Sequence, residues 1–118
     1  MKETTLADLA QFTGTDKYYF DPFFKGINYT QGVKYLRDNG ANWLVVDTLA
    51  HIKLNKKLQK SLDFLCIKFC AKDKTGVLTI DDGNGKILIK KDISYTDFPN
   101  GEVKLFYTNA VLMLASEY

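Results

Sequence analysis

The chain has 118 residues, 46% hydrophobic and 25% charged, with a formal net charge of +2 and a single histidine. Such a balance is that of an ordinary soluble globular chain and excludes disordered and collagen-like classes; the length suits one domain, read as 1–118. No apolar run reaches the roughly 18–20 residues of a membrane span, and the acids in Met1–Phe12 do not suit a signal peptide, so the chain is read as cytoplasmic with no membrane partner.

Thr4 or Thr5 caps a short first helix in which Leu6, Leu9 and Ala10 share a face, and Thr13-Gly14-Thr15-Asp16 is a turn. Lys17–Phe24 holds five rings, Tyr18, Tyr19, Phe20, Phe23 and Phe24, interrupted by Asp21-Pro22, which favours an extended chain. These rings are either a stacking platform for bases or sugars or cover for the core. Ile27–Tyr29 reads as a short strand.

Thr30 caps a helix over Gln31–Asn39, with Val33, Tyr35 and Leu36 on its apolar side and Asn39-Gly40 as its stop. A second helix starts near Asn42, so the two make a helical hairpin or corner. In the second helix Trp43, Asp47 and His51 recur at every fourth residue and share one face. Asn55 opens a further helical turn through Lys60.

From Leu62 onward the period becomes that of strands. Leu65, Ile67, Phe69 and Ala71 point one way, and Leu62, Phe64, Cys66 and Cys70 the other, the pattern of a central strand. Trp43, Leu44 and Leu49 are expected to pack on it. Cys66 and Cys70 lie roughly 13 Å apart along a strand, too far for a disulfide. Gly76–Asp81 and Lys86–Tyr95 flank Asp82-Gly83-Asn84-Gly85, a strong hairpin signal. Strands at Val103–Thr108 and Ala110–Ala115 follow, with a kink at Asn109. The expected fold is α+β, with N-terminal helices packed on one antiparallel sheet of about five strands arranged as a meander.

Three chemistries deserve weighing. Asp82-Gly83-Asn84-Gly85 resembles a calcium loop only superficially, because placing Gly85 at the invariant glycine puts Ile80 and Lys91 where acidic ligands belong. Asp47 and His51 are the candidate acid-imidazole pair of a small hydrolase, yet no nucleophile elbow accompanies them. One His and two Cys at strand spacing match no zinc pattern, and no phosphate-binding glycine loop is present; no metal and no cofactor are expected.

Charge is unevenly spread: residues 51–75 carry seven Lys against two Asp, an excess of five. On a continued helix Lys53, Lys56, Lys57 and Lys60 form one stripe able to contact phosphates, though the set has no arginine or asparagine at a base-reading position. The aromatic candidates for an interaction surface are Tyr18, Tyr19, Tyr29 and Trp43, since interfaces favour such rings.

Five blocks, Gln11–Thr15, Tyr29–Leu36, Trp43–Asp47, Tyr95–Pro99 and Ser116–Tyr118, keep an order over nearly the whole chain. In these blocks the chain resembles a family of small bacterial, plasmid and phage proteins known only as a domain of unknown function. Lys56, Lys57 and Lys60 depart from the family's less lysine-rich middle. The resemblance implies no catalytic residue or cofactor, and favours a small accessory or inhibitory binding protein, linked to mobile genetic elements, over a metabolic enzyme. The expectation is therefore a non-catalytic module engaging a protein partner or itself, with an exposed C-terminal edge strand as a second route to pairing. The alternatives are a nucleic-acid-associated protein using residues 53–60 and the hydrolase centred on Asp47 and His51.

Overall fold

The computed structural model describes residues 17–55, 63–96 and 98–118. The expected first helix at Thr4–Phe12, the turn after it and the helical turn at 56–60 lie outside the described residues. Strands β1 (Tyr19–Phe20) and β2 (Asn28–Tyr29) precede the helices α1 (Gln31–Leu36) and α2 (Asn42–Leu54). After them come β3 (Leu65–Lys72), β4 (Thr75–Asp81), β5 (Ile87–Ile93), β6 (Gly101–Thr108) and β7 (Val111–Leu114). All seven join one sheet in the order β1-β2-β7-β6-β3-β4-β5.

The mixed α/β character stands, and the finer expectation is corrected in three respects. Two short strands extend the sheet beyond five, and β2 runs parallel to β7. The five longer strands are not a meander, because β6 crosses to the far side of β3 and pairs with it from Leu65↔Tyr107 to Ala71↔Gly101. The C-terminal strand is not an edge: β7 is covered by β2 on one side and β6 on the other, leaving β1 and β5 outermost among the described strands.

No turn separates the helices. Arg37–Ala41, including Asn39-Gly40, continues as a π-helical passage from α1 into α2. The reason lies in the apolar spacing. Val33 and Leu36 are buried, and the next buried apolar residue is Ala41, five positions on, followed by Leu44, Val45, Leu49 and Ile52. An α turn after Leu36 would place Asn39 or Gly40 on that face, whereas the wider i→i+5 turn absorbs an extra residue and keeps the stripe on the sheet.

The inner sheet face alternates as the strand period requires. Leu65, Ile67 and Phe69 on β3, Leu78 and Ile80 on β4, Val103, Leu105 and Tyr107 on β6, and Leu112 and Leu114 on β7 are all buried. Each large aliphatic side chain so buried contributes about 1.5–3 kcal/mol. Strand β3 is the middle of the five longer strands, and Trp43 packs edge-on against Phe69 with ring centroids 5.2 Å apart.

Turns show where local chemistry governs. Between β4 and β5, Asp81 Oδ1 accepts from Gly83 N at 2.8 Å, while Asp82 Oδ1 accepts from Asn84 N at 2.9 Å and Lys86 N at 3.2 Å. Those carboxylates close a hairpin. The expected kink at Asn109 is instead a full reversal, with Asn109 at φ 52° and Ala110 at φ 60°. Two consecutive left-handed residues make the two-residue turn that suits strand twist and prefers Asn-Gly. Alanine in that conformation costs roughly 1–2 kcal/mol. Ala110→Gly is therefore expected to raise stability by about 0.5–1 kcal/mol after the added freedom of the unfolded chain is subtracted, read as a higher urea midpoint.

Candidate binding surfaces

The four aromatic candidates do not form one surface. Tyr29 is 2% exposed, and its hydroxyl accepts a hydrogen bond from Arg37 Nη1. The Arg37 Nε donates to Asn42 Oδ1 at 3.0 Å, and its guanidinium lies 3.9 Å from Asp21 Oδ2. Tyr29 thus anchors the π-helical passage. Tyr19 stacks on Tyr29 at 6.0 Å, with the Lys34 ammonium 5.3 Å from the Tyr19 ring centroid. Lys34 pairs with Asp38, whose hydrogen bond and charge raise the lysine's pKa. Trp43 is partly exposed, and its ring makes a T-shaped contact with Phe69.

Only Tyr18 of the four is well exposed, and it has two companions outside the four. Tyr18 and Phe20 are each 59% exposed and Phe23 is 88% exposed. Asp21 caps a 3-10 turn over Pro22–Phe24 by accepting from Phe23 N at 2.9 Å. Asp-Pro at the head of a tight turn was the available signal, because such a turn reverses the inside-outside alternation that an extended reading of Lys17–Phe24 assumes.

Asp47 and His51 do meet, with His51 Nε2 3.6 Å from Asp47 Oδ2, and Lys91 from β5 joins them with Nζ 3.3 Å from Asp47 Oδ1. The carboxylate ties α2 to the β5 edge. Neither cysteine can serve the pair as nucleophile: Cys66 and Cys70 alternate with the buried Ile67 and Phe69 and so project from the opposite face of the sheet. Burial, and then the nearby Asp81, push the Cys66 thiol up, and the hydrogen bond that Cys70 donates to Glu102 raises it likewise. Raised thiols are poor nucleophiles.

Of the lysine stripe, Lys53 lies in the last turn of α2 and donates to the Lys25 carbonyl at 3.0 Å. Lys56, Lys57 and Lys60 lie outside the described residues. The helix that would align them ends at Leu54, where Asn55 turns extended at φ −83°, ψ 119°. Among the described residues no group of three His, Cys, Asp or Glu side chains converges as metal ligands, and no helix is long and apolar enough to cross a membrane.

The outer face of the sheet divides in two. One part is aromatic: Phe64, Phe106 and Tyr118 form a mutual cluster with centroids 5.2–5.7 Å apart. Beside it lies a polar part, in which Lys68 interrupts the apolar series of β3; Cys66 is buried, Lys68 half-buried and Cys70 exposed.

The described residues therefore make a mixed α/β fold with a helical layer on one side of a seven-stranded sheet. A family model described as a family of unknown function, DUF6876, matches residues 3–118, and the chain belongs to that family. No curated protein and no solved structure matches it.

Proposed function

We propose that the protein is a small, non-catalytic cytoplasmic binding module that engages a protein partner or a second copy of itself through Tyr18, Phe20 and Phe23 at the β1 edge of the sheet. One observation carries this reading: three large rings within six residues stand 59–88% exposed beside an outermost strand. Rings so exposed lose most of their hydrophobic stabilisation in the free chain and recover it on contact, at about 25 cal/mol for each Å² of apolar surface covered. Among the described strands β1 is outermost, and such an edge is a place where a further strand can pair. An accessory or inhibitory role tied to mobile genetic elements is part of the same proposal and rests only on the resemblance drawn from the sequence, an association and not a mechanism.

The test compares the wild-type chain with Y18S/F20S/F23S. Size-exclusion with light scattering is expected to show self-association that the triple variant loses, or else a pull-down retains a host protein that the variant does not. A wild-type chain that stays monomeric, and retains nothing the variant fails to retain, overturns the reading.

A further inference from the structure

A row of cations crosses the outer face of the sheet. Lys104 on β6 stands opposite Lys68 on β3, Lys68 opposite Thr79 on β4, and Thr79 opposite Lys90 on β5. Like charges facing each other across strands destabilise a sheet, and none of these three ammonium groups ion-pairs with a described residue. The acids of this face stand in the neighbouring rows. Glu102 and Asp92 are one row away on the outer strands of the set, with Glu102 accepting from Cys70 Sγ at 3.1 Å. Asp81 is one row away on the other side, beside Cys66, with Oδ1 held by Gly83 N.

That second row also holds Met113 and Phe106, so Phe106 follows Lys104 at i+2 on the same face of β6. Its ring is 5.2 Å from Tyr118, which is 71% exposed. Phe106 is half-buried between Phe64 and Tyr118, and it is Tyr118 that offers an exposed ring to a ligand. Cations beside an exposed ring fit a ligand with anionic groups and flat apolar groups alternating along a chain. Single-stranded nucleic acid is that ligand, its phosphates seeking the ammonium groups and its bases the rings. A duplex satisfies the cations alone, because its bases are stacked on one another.

We propose that this face binds single-stranded nucleic acid without sequence preference, with phosphates on Lys68, Lys90 and Lys104 and a base on Tyr118, which Phe106 and Phe64 hold in place. The site is separate from the β1 edge, on the far side of the sheet from α2 and Lys53, so it stands or falls apart from the function proposed above.

The experiment is fluorescence anisotropy of a labelled oligothymidylate of about 12 nucleotides, titrated with the full chain at several salt concentrations. Three phosphate contacts on a single strand give a slope of log K against log salt of about −2, and K68Q/K104Q is expected to reduce it to about −0.7. Tyr118→Ala, at an exposed position, is expected to weaken binding about fivefold or more with the slope unchanged, while Y18S/F20S/F23S leaves it intact. Circular dichroism confirms that each variant is folded. Absence of binding by the wild type overturns the proposal, as does a slope that K68Q/K104Q leaves unaltered. Equal affinity for a duplex with no effect of Tyr118→Ala reduces the interaction to general attraction for polyanions, and likewise overturns it.

Discussion

Truncating Phe69 to alanine is expected to cost about 3–5 kcal/mol, out of the roughly 5–15 kcal/mol that holds a domain folded. Phe69 is fully buried at the middle of β3, and its ring meets two others edge-on, Trp43 at 5.2 Å and Phe98 at 5.5 Å. It also covers Gly76 on β4, where an added Cβ would stand 2.6 Å from the ring. Loss of the ring opens a cavity between helix, sheet and the loop bearing Phe98. Urea unfolding followed through Trp43, the single tryptophan, measures the change as a lower midpoint at unchanged slope. Phe69→Leu retains most of the volume and loses only the aromatic pairs, about 0.5–1.5 kcal/mol each. Gly76→Ala overpacks the same spot at about 1–3 kcal/mol, and its cost is expected to shrink in the Phe69→Leu background, a coupling that a double-mutant cycle reads. A loss below about 1.5 kcal/mol for Phe69→Ala would mean the three elements do not depend on this ring.

What the sequence discloses depends on how far each interaction reaches. The alternation of Leu65, Ile67 and Phe69 against Cys66 and Cys70 is local, and so is the Asp82–Gly85 hairpin; both have the form their residues dictate. The contact of Trp43 with β3 followed from one helix face having to meet the one apolar strand. The helix stop at Asn39-Gly40 failed because that dipeptide has a strong local preference, while the seven buried apolar residues around it, two before and five after, required one shared face. Tertiary burial outweighs a glycine's propensity cost of about 1 kcal/mol. Parallel pairing of Asn28–Tyr29 with Val111–Leu112 joins residues over eighty positions apart through a two-residue strand, which has no periodicity to read. The candidate surfaces were half legible. The aromatic segment 17–24 was visible, but its division into buried and exposed rings depended on the Asp21 cap, and Lys68 gained meaning only when β6 and β5 placed Lys104 and Lys90 in its row.

Glu117→Ala is expected to destabilise the protein by about 2–4 kcal/mol. The Oε1 of Glu117 accepts from the Thr30 hydroxyl at 2.6 Å and from Leu114 N at 3.1 Å, and its Oε2 accepts from Gly32 N at 3.2 Å. Thr30 Oγ1 in turn accepts from Val33 N, so one carboxylate organises the start of α1 together with the residue that caps it. Gly32 is required by the same contact, since a Cβ there would stand less than 3.0 Å from both Glu117 and Leu114. Alanine at 117 strands these donors, whereas glutamine keeps one carbonyl acceptor and is expected to recover part of the loss. Thr30→Ala alone costs about 0.5–2 kcal/mol, and the pair Thr30→Ala with Glu117→Ala is expected to be less than additive by about 1 kcal/mol. Strict additivity in urea midpoints, or unchanged hydrogen-exchange protection at the Gly32 and Leu114 amides, contradicts this account. The carboxylate also holds the 3-10 turn Ala115–Glu117 that sets Tyr118 against Phe64 and Phe106. Glu117→Ala is accordingly expected to weaken oligonucleotide binding as Tyr118→Ala does, with the salt slope unchanged, because the cation row on β3, β5 and β6 lies beyond the contact it removes.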